Sequence, residues 1–207
     1  MLGRLILAFG LLVAPIAAQE APAAPAPNEV LFANVRVFDG KADRTTGPTN
    51  VLVRGNRIAA IGPGAIAAPG AQRIDGTGRT LMPGLIDAHV HLTFSSLSQM
   101  SLMAPDLTPE TAELAAAEQS RAMLLRGFTA VRDMGGPVFG LKAGVDSGKY
   151  VGPRIWPSGA TISQTSGHGD FRLPSEPSRR FFGQPSRAEL MGATFIADGR
   201  DEVLTAT

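Results

Sequence analysis

The chain has 207 residues, 44% of them hydrophobic and 18% charged, with a formal net charge of +1 and no cysteine. Disulfides and thiolate metal sites are therefore excluded, and balanced charge without a basic block excludes a nucleic-acid footprint. Any bound metal has to be held by His, Asp, Glu or a modified Lys.

Residues 1–18, MLGRLILAFGLLVAPIAA, place one arginine before an uncharged apolar run that ends in small residues. That order is the pattern of a secretory signal peptide, and it implies a periplasmic or secreted product. The apolar run is shorter than the ~20 residues a bilayer span needs, so no stable membrane span is expected. Residues 19–28 read as a Pro/Ala-rich spacer with nothing to pack.

Over 29–83, β-rich runs alternate with Gly, Asn and Asp punctuation, as in NVLVRGNRIAAIG, where Gly55-Asn56 reads as a hairpin turn. The expectation is an all-β module, a small sandwich. The pattern changes after Pro83. GLIDAHV reads as a strand buried on both faces of a parallel sheet. In TPETAELAAAEQSRAMLLRG, Thr108 can cap a helix, Pro109 suits its first turn and Gly127 ends it. FTAVRD is the next strand, followed by a short helix, the strand PRIWPSG and a long polar loop over TISQTSGHGDFRLPSEPSRRFFGQPS. ADGRDEVLTAT reads as a further helix started by Asp198. Strand, helix, strand, helix, strand is the α/β signature.

Alternate residues of a strand share a face, so Asp87, His89 and His91 of "LMPGLIDAHVHL" point the same way. Two imidazoles so spaced at the carboxyl end of a strand can reach one cation. Two strand-end histidines that are only solvated or hydrogen-bonded are the other reading, and spacing alone leaves both open.

With "NRIAAIG" before it and "GFTAVRDMGG" and "GPRIWPSGATISQTSGHGD" after it, that stretch resembles the amidohydrolase superfamily of metal-dependent hydrolases. The branch resembled contains imidazolonepropionase-like enzymes, Xaa-Pro dipeptidases and ochratoxin-type amidases. The resemblance runs from Glu29 to Thr207. It implies an α/β fold in which 84–207 form the first three strands of a (β/α)8 TIM barrel, preceded by the small β-sandwich module. It implies that His89 and His91 are metal ligands and that His168 contacts substrate. Asp133 is then a hydrogen-bonding residue behind the ligands, or a carboxylate that caps the Gly135-Gly136 turn, and Asp87 likewise supports the ligands from behind. Asp170 and Arg172 are neighbours that can hold polar groups of a substrate. The cofactor implied is one or two divalent metal ions, most often zinc. The activity implied is hydrolysis of carbon–nitrogen bonds in small amides, such as Xaa-Pro dipeptides or N-acyl amino acids, by a metal-activated water.

The bridging lysine, the further histidines and the late catalytic aspartate of the family have no counterpart here; the lysines are Lys41, Lys142 and Lys149. No catalytic residue is therefore assigned within the segment. A full barrel takes about 250 residues, so the chain reads as the amino-terminal part of a longer enzyme, inactive alone and possible as a homo-oligomer only when complete. The alternative is a short, non-catalytic binding protein derived from the same fold.

Overall fold

The computed structural model describes residues 28–207. The signal peptide and all but the last residue of the spacer lie outside the described residues. Contacts divide the chain into two compact units, with the boundary between Met82 and Pro83.

The first unit is built on β1 (Glu29–Val37), whose residues Leu31, Ala33 and Val35 alternate into the interior. It pairs antiparallel with β2 (Thr49–Arg54), which turns through Gly55-Asn56 into antiparallel β3 (Arg57–Gly62). On its other side β1 pairs in parallel first with β4 (Gln72–Asp75) and then with β5 (Thr80–Leu81). The exchange of partners follows a bulge between Phe32 and Val35, where Asn34 adopts φ 59°. Two donated bonds hold Asn34 there: its backbone N–H donates to Asn50 Oδ1 and its side-chain amide N–H to Thr77 Oγ1. An Asn tolerates this left-handed conformation better than most residues, and the bulge bends the strand. The described module is thus one mixed five-stranded sheet. A second sheet, which a sandwich requires, is absent among the described residues.

The second unit carries a parallel sheet, β6 (Leu85–Val90), β7 (Phe128–Asp133) and β8 (Arg154–Pro157), with β7 in the centre. After β6 come two short helices, α1 (Leu92–Ser96) and α2 (Gln99–Met103), then α3 (Pro109–Leu125), which leads into β7. Thr108 and Thr111 close a reciprocal capping box at the start of α3, with Pro109 at the first turn. Gly127 ends the connection at φ 97°, a conformation that costs glycine little. Between β7 and β8 runs α4 (Phe139–Asp146). Ala116, Ala117 and Met123 of α3 and Leu141 of α4 pack with Val131 and Ile155 of the sheet, closed at one end by Leu92 and Val138.

β6 differs from the doubly buried strand expected. Ile86 is 73% exposed, and Leu85 and His89 also face outward. β6 is an edge strand here, paired only with β7 among the described residues, and Leu85 and Ile86, on its opposite faces, are both exposed. Its apolar sequence is that of a strand made to be covered.

The stretch after β8 holds more order than a polar loop. β9 (Thr161–Ser163) pairs in parallel with β10 (Thr194–Ile196), and the turns α5 (Arg179–Phe182) and α6 (Arg187–Leu190) lie between them. Glu189 is buried, accepts hydrogen bonds from the backbone and hydroxyl of Ser186, and sits 3.5 Å from the Arg179 guanidinium. The last helix, α7 (Arg200–Ala206), starts from Gly199, not from Asp198. Asp198 cannot cap it because its carboxylate accepts from the backbone N–H and hydroxyl of Thr165.

Candidate metal centre

His89 and His91 leave the carboxyl end of β6 on one face, and their Nε2 atoms stand 3.3 Å apart. The rings meet edge to face, with centroids 5.2 Å apart. His91 Nδ1 lies 3.2 Å from the carbonyl oxygen of Gly135. A carbonyl can only accept, so Nδ1 carries the proton and the Nε2 lone pair of a neutral His91 ring faces His89. This is how a backbone carbonyl fixes the tautomer of a ligating imidazole. Two nitrogens each ~2.0–2.1 Å from a tetrahedral zinc ion stand about 3.3–3.4 Å apart, a spacing this pair already has.

Behind the pair stands Asp133, fully buried at the end of β7. Oδ2 accepts from the backbone N–H of Leu92 at 2.7 Å, and Oδ1 from that of Gly135 at 3.1 Å. This carboxylate thus caps the Gly135-Gly136 turn and holds the backbone of the residue that follows His91. The carbonyl of the same Gly135 holds His91, so Asp133 acts on the imidazole through the turn. Burial pushes its carboxyl up from the ordinary range, against the opposing pull of the Leu92 and Gly135 N–H groups and the nearby His91 and Arg132.

Gly135 has to be glycine for reasons of space. A Cβ there would lie 2.5 Å from Thr161 Cγ2 and 3.5 Å from the His91 ring. The ends of β6 and β7 and the start of β9 converge on this one residue. The sequence marked Gly135 only as part of a turn that Asp133 could cap, and not as the partner of His91. Phe94 was missed as well. It packs on His91 with centroids 5.8 Å apart and on Phe171 at 5.4 Å.

The other site residues are placed as follows. The Asp87 carboxylate accepts from the His89 backbone N–H at 3.0 Å, bracing the strand end rather than a ring. His168 is exposed in the loop after β9, next to Ser166 at φ 59°. Asp170 in that loop accepts from Arg172 Nε at 2.7 Å and from the Ser166 N–H at 2.7 Å. The Arg172 guanidinium lowers its pKa to about 2. Among the described residues no three His, Asp or Glu side chains gather to hold a metal. His168 and Asp170 therefore do not complete a site with His89 and His91 in this chain.

Residues 80–202 match the model of the amidohydrolase family. The chain is 34% identical to the ochratoxinase of Aspergillus niger over 131 residues, which are 61% of this chain and 27% of that protein. It is 30% identical to an adenine deaminase of Deinococcus deserti over 166 residues, 74% of this chain and 26% of that one. Among solved structures, it resembles a prolidase crystallised with N-methylphosphonate-L-proline, at TM-score 0.72 and 33% identity, over 86% of this chain and 43% of that one. It also resembles a Xaa-Pro dipeptidase with bound methionine, at TM-score 0.67 and 30% identity, over 86% and 43%. The chain thus spans about a quarter of the length of these curated relatives and about two fifths of these solved ones. The strand carrying the histidine pair, the turn that holds His91 and the loops around them all lie within the matched residues, and the chain belongs to the amidohydrolase family.

Proposed function

We propose that this chain supplies the first strands of a metal-dependent hydrolase barrel that cleaves carbon–nitrogen bonds in small amides. The observation that carries the reading is the His89–His91 pair, its Nε2 atoms 3.3 Å apart and its second ring fixed by the Gly135 carbonyl. In this reading the two imidazoles are ligands of one divalent ion, with zinc proposed because nitrogen donors at this spacing suit it. The remaining ligands are proposed to come from later strands of the barrel. A metal held there would supply Lewis acidity to polarise a carbonyl and lower the pKa of water.

The chain's own residues have positioning tasks. Gly135 fixes the tautomer of His91, Asp133 fixes Gly135, and Asp87 fixes the backbone of His89. His168, exposed on the loop beside β9, is proposed to meet the polar groups of the substrate. The similar prolidase and Xaa-Pro dipeptidase support Xaa-Pro dipeptides as substrates, N-acyl amino acids are proposed beside them on the sequence resemblance, and the leader-like residues 1–18 support export to the periplasm or beyond.

The test is an assay of the full natural protein, with and without zinc, for amino-acid release from both substrate classes. Metal-dependent release that is lost in His91→Ala supports the reading. Release that survives chelation and His91→Ala contradicts it.

A further inference from the structure

A cavity of about 280 Å³ lies against Phe94, the side chain that packs on His91. Its wall comes from the segments that leave the carboxyl ends of the parallel strands. Thr93, Phe94 and Leu102 follow β6, Pro137 follows β7, and Phe171 and Met191 follow β8. That is the side of a parallel α/β sheet on which ligands bind. The charged groups in the wall are occupied elsewhere. The Glu176 carboxylate accepts from the backbone N–H of Leu173 and of Arg187, and Arg187 Nη2 donates to the Leu107 carbonyl. These bonds tie the loop before α6 to the turn before α3, so the cavity is held open by its own polar frame and presents an apolar interior. Phe94 belongs both to the cavity wall and to the stack on His91.

We propose that this cavity is a substrate pocket for a bulky apolar side chain, aromatic or branched, attached next to the bond that lies at His89 and His91. The proposal rests on the hydrolase reading for its direction, since a group seated there shares the Phe94 wall with the metal pair. Its size fits: an apolar cavity of ~150 Å³ holds a benzene ring, so the present volume takes a phenyl or indole group with its first methylene. A small polar side chain would leave the pocket wet and gain nothing from it.

The probe is toluene, titrated against protein labelled at the methionine methyl groups and histidine rings and followed by NMR. The expected result is a saturable shift of the Met103 and Met191 methyl signals together with the His91 ring. Ala188→Trp and Leu102→Trp fill the pocket from opposite walls, and each should abolish the shifts while the circular dichroism spectrum stays native. Binding that persists in His89→Ala/His91→Ala supports the pocket independently of the metal. If toluene binds while the full natural protein takes up no zinc, the hydrolase reading fails and the pocket stands. No saturable shift in the unmutated protein, or shifts that persist in a folded filled variant, would overturn the proposal.

Discussion

Two side chains show how neighbouring groups decide what a residue can do. Asp170, with its Arg172 partner, has a carboxyl pKa near 2 in the fold against 3.8 unperturbed. A depressed carboxyl stabilises the fold above its unfolded pKa, and that stabilisation is lost as pH falls through the folded value. The lost amount is on the order of 2 kcal/mol. Asp170→Asn should therefore lower stability at pH 7 and flatten its fall between pH 4 and pH 2, as read by urea unfolding at each pH. An unaltered pH dependence would contradict the pairing. Gly135 makes a second case. An alanine there collides with Thr161 and crowds His91, so Gly135→Ala should cost about 1–3 kcal/mol of stability and weaken zinc binding as it moves the carbonyl. Zinc affinity equal to that of the unmutated protein would show that the carbonyl does not position the ring.

At the scale of elements, strands β6, β7 and β8 and helix α3 were legible because each carries a long local signal. Leu85–Val90 and Phe128–Asp133 are apolar runs bounded by glycine or polar loops, and α3 announces itself with Thr108, Pro109 and Gly127. The capping box predicts that Thr108→Ala lowers stability by about 1 kcal/mol, measured by chemical denaturation. β9 and β10 were not legible. Three residues make too short a period, and their pairing joins positions 33 apart. Asp198 was misread for a related reason: a helix start looks local, but its carboxylate is spent on Thr165 across the chain. The histidine pair was half legible. Strand alternation put both rings on one face, while the carbonyl that sets the tautomer came from a turn 44 residues away.

For the molecule as a whole, the apolar sequence of β6 and its exposed position pull in different directions. Ile86 and Leu85 are exposed, as is Trp156 on the other edge strand β8. Unpaired edges with apolar faces recruit other chains. Studied as an isolated segment, residues 1–207 should self-associate as concentration rises, and Ile86→Lys should shift the distribution in sedimentation velocity toward the monomer; equal distributions would show that the β6 edge is not the contact. No helix among the described residues is long and apolar enough to cross a membrane, so this surface is not explained by a helical span there. The central claim, that the His89–His91 pair is the chain's share of a metal site, is tested most directly by zinc titration calorimetry on the full natural protein and on its His89→Ala/His91→Ala variant. The account predicts that zinc binds the unmutated protein and that the double variant loses that binding while keeping its fold. Equal zinc binding by the two proteins would contradict it.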